Sequence, residues 1–189
     1  MKKIELVYNE ILYEVIEKSN RKLTQLNLAK KLDISLSTVN LAIKHLAKIN
    51  SVRVQLKNFI VIDPKRILIY WASVRNLEKD IIYKTRAEKS VSEIEKYMPA
   101  DVIYGAYTAY KLAFKDIPAD YSEVYIYSNN ISDIKKRFPE NKNRANLFVL
   151  RKDINKMSKA NIFVDLWNLK EWYAREFLKA VEENLYGIL

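Results

Sequence analysis

Few side chains in this chain can do covalent or metal chemistry. His45 is the only histidine among 189 residues, and cysteine is absent. One imidazole excludes a histidine metal cluster or a Ser/His/Asp triad within a single chain. The lack of thiols excludes disulfides and thiolate metal sites, and fits a reducing compartment. With only two glycines, no phosphate-cradling loop or dinucleotide fingerprint can be written. His45 is expected as a surface or phosphate-side residue rather than a catalyst. What remains is positive charge. The chain carries 33 Lys/Arg against 23 Asp/Glu, a net of +10. Between Arg21 and Arg66, ten basic residues stand against Asp33 and Asp63, a net of +8. Cationic charge concentrated in this way is the footprint of phosphate contact. A solvated basic face in a lysine-rich protein is the alternative.

The elements that must position this charge lie between Leu23 and Leu46. Leu28, Ala29 and Leu32 share one face of a first short helix; Val39, Ile43 and Leu46 share one face of a second. Thr24 and Ser35 stand where side-chain oxygens cap each helix start. Ala29 is small enough to let the helices cross closely, Ile34 plugs the corner, and Asp33 occupies a turn position that tolerates unusual backbone angles. Two short helices so arranged form the helix-turn-helix pattern that sets a helix into the major groove. Residues 51–62 then alternate: Val52, Val54 and Leu56 point one way, Arg53, Gln55 and Lys57 the other. Lys57-Asn58 forms a hairpin tip, Asn being able to adopt positive φ. Lys2 to Asn20 precedes them as an amphipathic helix with its glutamates outside.

Helix, helix-turn-helix and hairpin together resemble a winged-helix DNA-binding domain over residues 1–63. The resemblance implies that Lys30, Lys31, Arg53 and Lys57 meet phosphates. It implies too that the helix beginning near Ser35 brings Ser37, Thr38, Asn40 and Lys44 to the groove, with Asn58 at the wing. Asn40 suits adenine and Thr38 a thymine methyl or a phosphate. Winged-helix regulators often carry Gln and Arg at the positions matched to Leu36 and Leu41. Leucines there either touch thymine methyls or pack against protein.

Asp63-Pro64 opens a connecting helix over residues 64–76. Residues 77–189 then alternate short strands and helices. Strands are expected at 80–85, 102–104, 123–127, 147–150 and 162–165. Helices are expected at 91–98, 107–114, 131–138 and 169–185. The fold class is therefore α+β, with a small α/β domain following the first. No apolar run approaches a membrane span, no secretory signal opens the chain, and a cytoplasmic protein without cofactor is expected.

The second half carries a further resemblance. Tyr104-Gly105-Ala106, Ser122 to Tyr127, Val164-Asp165-Leu166 and Glu171-Trp172 to Leu178, placed behind a winged helix, look like the AbiEi-type antitoxin and transcriptional-regulator family. That resemblance implies a repressor with a C-terminal domain related to the nucleotidyltransferase fold, associated with type IV toxin–antitoxin operons. Its partners would be double-stranded DNA, a second copy of the chain as a homodimer, and a cognate toxin protein. In nucleotidyltransferases a Gly-Ser, an Asp-x-Asp and a third carboxylate hold the metal and nucleotide. Here those positions resemble Gly105-Ala106, Glu123-Val124-Tyr125 and Asp165. Ala106 lacks a hydroxyl and Tyr125 cannot replace a metal-binding carboxylate, so no enzyme is expected. Glu123 and Asp165 are expected to be structural, paired with a nearby Lys or Arg. A metal-dependent nucleotidyltransferase and a winged-helix protein-docking module remain the alternatives.

Overall fold

The structure, a computed structural model, describes residues 1–188. Its contacts divide the chain into two compact units. The first comprises Met1–Arg75, Ser158–Val164 and, of the described residues, 182–188; the second comprises Asn76–Met157 and Asp165–Val181. The mixed helices and sheets make it an α+β protein.

The first unit begins with α1 (Lys3–Lys18), β1 (Lys22–Leu23), α2 (Gln25–Leu32) and α3 (Leu36–Lys48). The strands β2 (Val52–Val54) and β3 (Phe59–Val61) and the helix α4 (Pro64–Val74) follow. Local chemistry sets the boundaries. Thr24 Oγ1 accepts from Asn27 N at 3.2 Å, Ser35 Oγ from Thr38 N at 3.3 Å, and Asp63 Oδ1 from Arg66 N at 2.9 Å. Each of these bonds satisfies an amide that the first turn leaves over. Asp33 closes α2 in the left-handed region at φ 50°, ψ 50°. A two-residue strand, β1, pairs with β3 and completes an antiparallel sheet in the order β1-β3-β2. Nothing in the residue pattern marks β1, because two residues are too few to alternate.

Tyr8, Ile11 and Leu12 of α1, Val39, Ile43 and Leu46 of α3, Phe59 of β3 and Leu68 and Trp71 of α4 are fully buried. The apolar side of α4 is therefore packed into this core. Three expectations change here. Glu5 is buried rather than outside: its Oε2 lies 3.3 Å from the Trp71 Nε1 donor and 3.4 Å from Arg75 Nη1. Val54 and Leu56 do not face inward; the ladder ends at Val54/Phe59, and Leu56 at the tip is 98% exposed. Asn58 does not have positive φ; that conformation is taken by Asn50 (φ 55°), in the turn entering β2.

The second unit opens with a 3-10 turn (Glu78–Asp80), β4 (Ile81–Thr85), α5 (Val91–Lys96), β5 (Ile103–Tyr104) and α6 (Ala106–Phe114). It continues with β6 (Val124–Tyr127), α7 (Ile131–Arg137) and β7 (Leu147–Leu150). The strand order is β4-β7-β6-β5, with β6 and β7 parallel and both outer pairs antiparallel. Val124, Ile126, Leu147 and Val149 pack with Ile94 of α5 and with Ile134 and Phe138 at α7. On the opposite face Tyr125 stacks on Phe148 at 4.7 Å, and Tyr107 of α6 sits 6.3 Å from Tyr125. Every residue of β6 is buried because both faces are covered.

Two helices close the chain: α8 (Lys159–Trp167) and α9 (Ala174–Leu185). The expected strand at 162–165 is thus the middle of α8. Ser158 starts it, its Oγ accepting from Asn161 N at 3.0 Å. Residues 160–166 are all buried, and a helix buried on every side has the same continuous apolar run as a central strand. The long helix expected from residue 169 begins only at Ala174.

Candidate nucleic-acid interface

The candidate residues lie on α2, α3 and the β2–β3 hairpin of the first unit. Val39, Ala42, Ile43 and Leu46 hold one side of α3 in the core. The turn geometry of Asp33 and the cap at Ser35 fix the direction in which α3 enters. Its other side presents Leu36, Ser37, Asn40, Leu41 and Lys44, which follow one another at helical spacing. With Gln25 of α2 these five residues line an open concavity of about 470 Å³.

At the helix start, Ser35 Oγ lies 2.9 Å from both Ser37 Oγ and Thr38 Oγ1. The three hydroxyls are therefore tied together at the first turn, where a helix carries its positive dipole end. Asn40 Nδ2 donates to Gln25 Oε1 at 3.2 Å. The residue pattern does not announce Gln25, because its bond to Asn40 crosses between two helices. Lys44 is exposed and makes no ion pair among the described residues, and the same holds for Lys30, Arg53 and Lys57. Lys48, at the last turn of α3, is likewise exposed and unpaired there. Asn58, at the hairpin tip, is half-buried, and its backbone carbonyl accepts from Gln55 N at 2.8 Å.

Lys31 differs from the other cations expected at phosphates. Its Nζ lies 2.5 Å from Glu10 Oε1 and 2.8 Å from Glu14 Oε1, so its charge is offset within the unit. Burial pushes the Glu14 carboxyl up, but hydrogen bonds from Lys18, Lys31 and Asn20 outweigh it and draw it down to about 2. A depressed carboxyl contributes stability in full above its ordinary value of 4.5, and that contribution is lost as pH falls toward 2. Chemical unfolding followed from pH 6 to pH 2 is therefore expected to show a shallower acid limb for Glu14→Gln than for the natural chain. Identical acid limbs would contradict this assignment.

His45 is not on the outer side of α3. Its Nδ1 is hydrogen-bonded to Tyr8 Oη at 3.2 Å and its ring sits against Tyr70. This contact links α3 to α1, and the imidazole is half-buried.

In the second unit, Gly105 ends β5 with its amide bonded to Tyr125 O at 2.8 Å, and Ala106 opens α6 at φ 46°. Tyr127 Oη donates to Asp165 Oδ1 at 2.7 Å. Tyr173 Oη and Ser122 Oγ (3.0 Å) both donate to the Glu123 carboxylate. Burial, with the bond to Glu123, pushes the Tyr173 hydroxyl up to about 12, so it keeps its proton. Glu123 is thus satisfied by hydroxyls rather than by Lys or Arg. Tyr125 is buried, and burial pushes its hydroxyl further up. Among the described residues, no group of three or more His, Asp or Glu is placed to hold a metal ion, and no helix is long and apolar enough to cross a membrane. Compared with protein-family models, with curated proteins and with solved structures, the chain matches none.

Proposed function

We propose that this chain is a double-stranded-DNA-binding transcriptional regulator, repressor-like, whose first unit acts as a winged helix. The observation that carries the reading is the outer side of α3 and its surroundings. Polar groups at the helix start, the Asn40 amide and Lys44 stand on the outer side of α3, and the further cations Lys30, Arg53 and Lys57 are carried by α2 and the β2–β3 hairpin of the same unit. The order α1-β1-α2-α3-β2-β3 with a three-stranded antiparallel sheet supports the winged-helix reading.

The likeness to AbiEi-type regulators extends the proposal. It gives the second unit a non-catalytic role, and it makes a homodimer on operator DNA and a cognate toxin protein the partners to seek. On this likeness the second unit, with its mixed four-stranded sheet, would be related to the nucleotidyltransferase fold. Ala106, Tyr125 and the hydroxyl-bonded Glu123 leave that scaffold without the paired carboxylates that transfer chemistry uses.

A gel shift over random duplexes, repeated across a salt series, tests the reading. Binding should weaken steeply with salt. Lys44→Glu and Lys57→Glu should each weaken it further, and the neutral variants Lys44→Ala and Lys57→Ala should reduce the log–log slope by about 1 apiece. Salt-independent binding, or no duplex binding by the folded chain, would overturn it.

A further inference from the structure

The geometry points to a preference for A·T base pairs at the centre of the site, read by the Gln25–Asn40 amide pair with Leu36 and Leu41 against thymine methyls. The inference rests on the DNA-binding reading above and adds the chemistry of the bases it selects.

Four observations carry it. Gln25, Leu36, Asn40 and Leu41 line the same concavity. Asn40 Nδ2 donates to Gln25 Oε1, which holds Asn40 in one orientation while leaving its Oδ1 and second amide hydrogen for a ligand. Adenine offers in the major groove an N7 acceptor beside an N6 donor, the pattern one primary amide complements with two bonds; guanine offers two acceptors. Leu36 and Leu41 are 50% and 49% exposed. Large apolar side chains in that position cost hydration unless something apolar meets them, and thymine alone brings a methyl to the major-groove edge.

The cation at the same concavity is Lys44, one turn beyond Asn40 on the helix. Lysine is a point charge without the two-pronged geometry that arginine brings to guanine, so it suits a phosphate at the groove edge. The site thus combines an amide for adenine, two alkyl groups for its partner's methyl, and a cation for the backbone. No arginine lies along its lining.

The test is selection of the full chain against a pool of random duplexes, followed by fluorescence anisotropy on the enriched duplex. Enrichment should place A·T pairs at the centre of each stretch that one α3 reads, which for a homodimer means once in each half-site. Replacing the central thymines with uracil should weaken binding about fourfold per methyl lost. Replacing the central adenines with 7-deazaadenine, which lacks the N7 acceptor, should weaken the natural chain and leave Asn40→Ala unchanged. The double substitution Leu36→Ala with Leu41→Ala should bind the thymine and uracil duplexes equally, while keeping the salt slope of the natural chain. Enrichment of G·C pairs, binding without sequence preference, or indifference to uracil would overturn the inference while leaving DNA binding intact. Failure to bind any duplex would overturn the DNA-binding reading, and this inference with it.

Discussion

Glu5→Ala is expected to cost about 3–5 kcal/mol of folding stability, read as a shift in the urea midpoint. Glu5 serves three groups at once. Its Oε1 accepts from the Lys2 amide at 3.4 Å and closes the start of α1; its Oε2 faces the Trp71 indole and the Arg75 guanidinium. Trp71 is fully buried and Arg75 nearly so. Removing the carboxylate takes an anion from a buried cation and an acceptor from a buried indole, and both losses are charged at interior prices. Glu5→Gln keeps an acceptor for Trp71 but removes the carboxylate charge facing Arg75, so its cost should lie between zero and that of Glu5→Ala. Adding Arg75→Met to Glu5→Ala should be less than additive, because the carboxylate and the guanidinium face each other. A Glu5→Ala midpoint equal to that of the natural chain would show that water replaces the carboxylate.

Phe177→Ala is expected to cost a similar amount, about 3–5 kcal/mol, through the second unit. Phe177 is fully buried, and its ring centre lies 5.0 Å from Tyr107, 5.2 Å from Tyr110 and 5.7 Å from Tyr121. The angles are edge-to-face, the arrangement aromatic quadrupoles favour. Truncation leaves a void among rings whose positions are also set by polar ends: Tyr107 Oη reaches Glu171 at 3.4 Å and Tyr121 Oη reaches Glu95 at 3.1 Å. Those bonds limit how far the site can collapse, which puts the cost toward the upper end of the range. Phe177→Leu should recover most of it. Urea unfolding monitored by tyrosine fluorescence would check both, and equal midpoints for all three chains would refute the assignment.

Much of the first unit is legible in the residues because its determinants are local. Thr24, Ser35 and Asp63-Pro64 act within three or four positions, and Asp33 needs only its own backbone. Periodicity finds α1, α2 and α3 because each has one wet side. The failures have a common cause in contacts made far along the chain. In sequence Glu5 reads as an outward glutamate; the fold brings Trp71 and Arg75 to it. In sequence Lys31 reads as a solvated cation; α1 supplies Glu10 and Glu14. Residues 162–165 read as a strand because burial on all sides erases the helical period. In the candidate site, the hydroxyls, Asn40 and the cations are visible in sequence. Gln25 is not, since fifteen positions and a helix crossing separate it from the amide it holds.

The first unit is not built from one stretch of chain. Ser158 Oγ donates to Asn9 Oδ1 at 2.5 Å, the Lys159 amide donates to Glu17 Oε1 at 3.0 Å, and Arg21 Nη2 donates to Ile188 O at 3.0 Å. These partners follow residues 76–157 in the order of synthesis. On the ribosome, where the chain lengthens by roughly 5–20 residues per second, the α3 face emerges many seconds before the residues that complete the unit carrying it. On the proposed reading, the α3 face would be backed by its complete unit only once residues 158–188 have been synthesised.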